Sequence, residues 1–116
     1  FNPDGVLCGA RHAHVHGTLL YVSCDAGLVV VDINTPCQPR VVTVVGEPFL
    51  KHARMCSTQL RYCYVCDEEG VKVLDISDPT NPRPVSMIRM PEAHNIYLAR
   101  TYAYVAGGSR GMVILD

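Results

Sequence analysis

The sequence has no excess of charge of either sign. Ten Lys and Arg stand against eleven Asp and Glu, for a formal net charge of −1. A general grip on nucleic acid or another polyanion needs a basic stripe, and no block of like charges supplies one. Long apolar runs are missing as well. The longest unbroken aliphatic stretch is Leu28 to Val31, whereas a membrane-spanning helix needs about 20 apolar residues. No stretch keeps a 3.6-residue apolar period, and no capped helix can be drawn. A Gly-rich phosphate loop, a helix-borne metal motif and a nucleophile elbow are also absent. Low-complexity tails are lacking, and with 48% apolar and 18% charged residues the chain is not disordered.

Cysteine is present but too sparse for a disulfide scaffold. There are six in 116 residues, below the roughly 8–10% that marks such folds. Six cysteines allow 15 full pairings, and spacing alone selects none. Two readings stay open: an exported protein with some disulfides, or a reduced one whose buried thiols act as small hydrophobes. The first residue is Phe1 rather than Met, so the segment is expected to begin inside a longer product or after processing.

What the sequence does have is a repeat. Gly27-Leu28-Val29-Val30-Val31-Asp32-Ile33 returns as Gly70-Val71-Lys72-Val73-Leu74-Asp75-Ile76 and again as Gly111-Met112-Val113-Ile114-Leu115-Asp116. The Asp residues are 43 and 41 positions apart. Upstream, residues 10–22, 53–65 and 93–105 align without a gap, with Tyr21-Val22, Tyr64-Val65 and Tyr104-Val105 in step. A period of this length means either helical repeats or propeller blades. Runs of Val, Ile, Tyr and Leu cut by Gly, Asp-Pro and Asn-Pro decide for strands.

Four short strands fit each unit, in the first at about residues 10–16, 19–24, 28–33 and 40–45. Gly17-Thr18 makes a hairpin turn between the first two. The prolines of Asp78-Pro79-Thr80-Asn81-Pro82 make a rigid turn. Val29, Val30 and Val31 cannot all point one way, because side chains alternate along a strand. Both faces of the sheet must therefore be covered, as they are when blades stack. The expectation is an all-β chain of antiparallel four-stranded blades, with repeats over 10–52, 53–92 and 93–116 and residues 1–9 as the tail of a preceding blade. Tyr21, Tyr64 and Tyr104 are expected in equivalent buried sites, as are Val22, Val65 and Val105.

With these residues in view, the chain resembles the LVIVD-repeat family of β-propellers. Leu28-Val29-Val30-Val31-Asp32 and Val71-Lys72-Val73-Leu74-Asp75 nearly spell the family name. The family's Asp-Ile-Ser-Asp-Pro stretch stands at residues 75–79, and its Tyr-Ala-Tyr-Val-Ala stretch at residues 102–106. The first unit departs from it at Asn34-Thr35, where Ser-Asp is expected, which touches only a turn. The resemblance implies a propeller, commonly secreted, periplasmic or on the cell surface, and no single reaction. Three units make about three blades' worth, whereas propellers typically have about four to eight. The expected partners are thus the rest of a longer propeller chain, or further copies that close a ring.

Candidate chemistry is thin. His12, His14 and His16 alternate on the first strand, on one face, about 7 Å apart. His12 and His14, with His94 entering from another blade, could hold copper or zinc through imidazole nitrogen near the propeller axis. The plainer reading packs the first strand against its neighbours and leaves His16 solvated at its turn. Arg11, Arg54, His94 and Asn95 open the innermost strands, where converging polar groups could bind an anion or small polar ligand. Cys63-Tyr64-Val65-Cys66 has redox and zinc spacing, but on a strand the two thiols face opposite ways. Asp32, Asp75 and Asp116 recur in every unit, so a turn role is expected of them rather than catalysis. The Asp67–Glu69 run reads as a solvated turn, with weak Ca²⁺ binding as the alternative. Function is expected to be a non-catalytic binding scaffold for a protein or small polar ligand, with no cofactor. The rival is a copper or zinc enzyme, or an electron-transfer component, with its site at the axis.

Overall fold

The computed structural model describes residues 1–35, 37–46, 49–90, 93–99, 102–108 and 111–115. The chain is all-β, with eleven strands in three antiparallel sheets and one 3-10 turn among the described residues. Sheet one holds β1 (His12–His16), β2 (Leu19–Cys24), β3 (Gly27–Asp32) and β4 (Arg40–Val45) in that spatial order. Sheet two repeats it with β5 (Met55–Gln59), β6 (Tyr62–Cys66), β7 (Gly70–Asp75) and β8 (Arg83–Arg89). Sheet three has β9 (Asn95–Ala99), β10 (Tyr102–Ala106) and β11 (Met112–Leu115). The sheets are β-propeller blades, and their first strands β1, β5 and β9 stand next to one another.

Repeat register becomes spatial register. His14 pairs with Tyr21, Ser57 with Tyr64 and Tyr97 with Tyr104. A bulge interrupts the third-to-fourth strand pairing between Val30 and Val31, and again between Val73 and Leu74. Gly27 and Gly70 open the third strands of blades one and two. Their φ angles are 120° and 153°, and an added Cβ would lie 2.1 Å from the Val45 carbonyl oxygen and 2.0 Å from that of Ile88. Only a residue without Cβ lets the fourth strand end so close.

The recurring aspartates work as turn caps. Asp32 Oδ1 accepts the Asn34 amide at 2.8 Å, and Asp75 Oδ1 accepts that of Ser77 at 2.9 Å. The Ser77 amide and hydroxyl, with Arg61 and Arg83 farther out, hold the Asp75 carboxyl below its ordinary range. Asp116 lies outside the described residues.

Each blade has a back face toward the preceding repeat and a forward face toward the next. Blade one's forward face meets blade two's back face through Tyr21, Leu28, Val30, Cys56, Cys63, Val65 and Leu74. Blade two's forward face meets blade three through Cys66, Val71, Ile96, Ala103 and Val105. Val22, Val65 and Val105 are all buried. The tyrosines are not equivalent. Tyr21 is fully buried, whereas Tyr64 and Tyr104 are only half-buried. All three point forward, so each depends on what lies in front of it. Tyr21 faces a four-stranded blade, Tyr64 lines a cleft beside the shorter third blade, and Tyr104 lies on the last described face.

Residues 1–9 precede the first strand. They form the 3-10 turn Pro3–Gly5 and further turns, with no strand. Val6 and Leu7 pack over Val22, Cys24, Val29 and Val31 on the back of blade one. The Cys8 carbonyl accepts the Asp25 amide at 3.2 Å. A bare apolar back face is costly in water, and this segment covers part of it.

Candidate functional site at the blade seams

The residues that open the inner strands sit at matching places. The Arg11 amide donates to Ser23 O at 2.8 Å, that of Arg54 to Cys66 O at 2.7 Å and that of His94 to Ala106 O at 3.0 Å. Arg11 Nη1 then reaches across the seam to the Ala53 carbonyl at 3.3 Å, and Arg54 Nη1 reaches the Ala93 carbonyl at 3.1 Å. Ala53 and Ala93 open the next blades, so each guanidinium clamps its own blade to the following one. Arg11 also pairs with Asp25, and Arg54 donates to the Asp67 carbonyl at 3.4 Å. His94 and Asn95 hold the same places in blade three and are exposed.

The histidine ladder faces the first seam. His12, His14 and His16 are half-buried, while Ala13 and Val15 between them are exposed on the opposite face. Thr58 of β5 bridges two of them, with its Oγ1 2.9 Å from His14 Nε2 and 3.0 Å from His16 Nδ1. His16 is therefore not merely solvated at the turn. Its ring also meets that of Tyr21 edge-on at 6.3 Å. Among the described residues, no group of three His, Cys, Asp or Glu side chains is placed to hold a metal ion.

Burial, then the neighbouring His12 and His16, lower the His14 pKa from its ordinary value. The folded chain thus takes up a proton at His14 less readily than the unfolded chain does. Stability from this group is fully present above the unfolded value of about 6.5 and is lost as pH falls below it. Melting temperature is expected to drop between pH 7 and pH 5, and His14→Gln should flatten that part of the profile. An unchanged profile in the variant would refute the assignment.

The seam also holds a charged cluster. Asp67 and Lys72 are 0% and 1% exposed. Lys72 Nζ lies 2.8 Å from Asp67 Oδ2 and 2.6 Å from Glu69 Oε1, and it donates to the Phe49 carbonyl. Asp67 accepts the amides of Lys51, Glu69 and Gly70 at 2.9, 2.9 and 3.1 Å. Burial works against the Lys72 charge, but Asp67 and Glu69 outweigh it and raise the pKa. The Asp67–Glu69 turn is thus not simply solvated: Asp67 is its buried anchor, and it pins the segment leading into blade two. Two signals pointed there. Lys72 interrupts an apolar run at the register of Val29, and Asp67 stands at the register of Cys24.

All six cysteines are free thiols, with Cys8 and Cys37 exposed and the others buried. Cys63 and Cys66 do face opposite seams. Burial first, and Asp67 second, push the Cys66 thiol up to about 12.

Among the described residues, the forward face of blade three exposes several large apolar side chains. Tyr97 is 71% exposed, Met112 66%, Ile114 54% and Tyr102 46%. Asn95, Tyr97, Tyr104 and Met112 line an open depression that also touches Ile96, Val105 and, from blade two, Met55. No helix among the described residues is long and apolar enough to cross a membrane.

Comparison with protein families matches the LVIVD repeat over residues 9–45, 59–87 and 92–116. No curated protein matches the chain.

Proposed function

Because the chain belongs to the LVIVD-repeat family and its sheets stack as propeller blades, we propose that it is a binding scaffold whose recognition surface is the forward face of blade three. One observation carries this reading. The faces equivalent to it on blades one and two are covered by a following blade, while on blade three Tyr97, Tyr102, Met112 and Ile114 stand in water. Contiguous apolar surface of this kind favours a protein partner. The partner that fits is another blade of the same repeat, whose back face would offer the counterpart of Val65 and Val105. An exported or cell-surface setting, expected from the family resemblance, belongs to the same proposal.

The small-ligand reading at Arg11, Arg54, His94 and Asn95 has less support, because both guanidinium groups already donate to carbonyls across the seams. The axial copper or zinc reading has less still, because Thr58 already bridges His14 and His16.

Sedimentation velocity of the chain over a hundredfold concentration range tests the scaffold. Association is expected, and Tyr97→Lys with Met112→Lys should reduce it while leaving the circular dichroism unchanged, because both side chains are exposed. A monodisperse monomer throughout the range would overturn the proposal.

A further inference from the structure

Two departures from the repeat meet in the seam between blades one and two. Cys56 occupies the register of Ala13 and Ile96, and Cys63 that of Leu20 and Ala103. Elsewhere in the repeat, both positions are plainly apolar. Both cysteines are completely buried, on the face of blade two that meets blade one. The pairings Cys56 with Val65 and Thr58 with Cys63 make them diagonal neighbours on adjacent strands. Both side chains belong to one buried cluster with Tyr21. Cys56 Sγ also lies 3.4 Å from the Tyr21 carbonyl oxygen.

The surroundings are not an ordinary apolar core. The hydroxyl of Tyr21 is fully buried with no hydrogen-bond partner. The Ser23 hydroxyl is buried too and has no hydrogen-bond partner. A buried hydroxyl left without a partner costs free energy and calls for an explanation. Two buried thiols and two such hydroxyls therefore face the same seam.

Three uses of a thiol pair can be separated by geometry. A disulfide suits residues whose Cα atoms lie within about 7 Å, whereas diagonal cross-strand neighbours stand about 7–8 Å apart. Zinc wants four ligands, and no third His, Cys, Asp or Glu joins the pair among the described residues. A soft monovalent ion is content with two thiolates, and thiolate softness selects Cu(I). We infer that Cys56 and Cys63 form a buried two-thiolate site for a soft monovalent metal ion, Cu(I), in the seam between the first two blades. Binding replaces both thiol protons by one ion and releases two protons to solvent, with no change of oxidation state. The pair shares its seam with the histidine ladder, since Cys63 pairs with Thr58, whose Oγ1 meets His14 and His16.

The test uses the chain with Cys8→Ser and Cys37→Ser, which removes the exposed thiols. It is loaded anaerobically with Cu(I) and titrated with a chromogenic Cu(I) chelator. One tightly held ion per chain is expected. Cys56→Ala and Cys63→Ala should each weaken retention at least 100-fold. These substitutions are the repeat's own residues, Ala13 and Ala103, so the fold should tolerate them, and circular dichroism checks this. Cys66→Ala should leave retention unchanged. Equal retention in the Cys56 and Cys63 variants, equal loss in the Cys66 variant, or no uptake by the fully reduced chain would overturn the site. So would mass spectrometry showing a Cys56–Cys63 disulfide that persists in place of metal uptake.

Discussion

Lys72→Val is expected to destabilise the chain by about 3–5 kcal/mol, the range for removing one partner of a buried ion pair. Asp67 has no exposure, and Lys72 Nζ at 2.8 Å is its counter-charge. Without the ammonium, the carboxylate stays in the seam with only the amides of Lys51, Glu69 and Gly70 to solvate it. Asp67→Cys alone should also be costly, because it strands the lysine. The pair together is different. Asp67→Cys with Lys72→Val installs the residues that blade one carries at the same register, Cys24 and Val29, both buried in an apolar cluster. Replacing a buried ion pair by well-packed apolar residues is often neutral or stabilising by about 1–4 kcal/mol. The double variant is therefore expected to recover most of what either single change loses. Denaturant unfolding of the four proteins measures this as a coupling energy. Near-additive losses would show that the pair does not act as a unit.

The second large effect concerns the tyrosine register. Tyr21→Ala should cost about 3–5 kcal/mol, the range for truncating a buried aromatic side chain. Tyr64→Ala should cost less and Tyr104→Ala least, because their rings are partly in water. Burial pushes the Tyr21 phenol up to about 12, with the Cys63 and Cys56 thiols adding to it, so its hydroxyl should stay neutral in an absorbance titration through pH 11. Tyr21→Phe should be mild, since the hydroxyl it removes has no hydrogen-bond partner. Equal losses for all three alanine variants would mean that blade three's forward face is covered in solution.

Much of the architecture was legible because its causes are local. Strand alternation, the Gly at each third strand and the Asp at each strand end act within a few residues. Asp32 and Asp75 meet amides only two positions away, and a repeat displays such rules several times in one sequence. The opposed faces of Cys63 and Cys66 follow from alternation alone. Other features needed the packed blades. Arg11 and the Ala53 carbonyl are 42 residues apart, and Thr58 stands 44 residues from His14. A reading along the chain put these arginines and histidines at inner strand positions but could not say what they touch.

The three tyrosines make the division plain. Their shared register was determined by the sequence, as was the face on which they lie. Their burial was decided by the neighbour in front: a full blade for Tyr21, a cleft for Tyr64 and an open face for Tyr104. Lys72 follows the same rule. The sequence places it in an apolar strand, and only the fold brings Asp67, Glu69 and the Phe49 carbonyl around its ammonium. Secondary structure in a repeat is set by short-range sterics and periodicity, which every unit carries within itself. Burial and charge pairing are set at seams between units, where the partner is a different stretch of chain whose side chains differ from seam to seam.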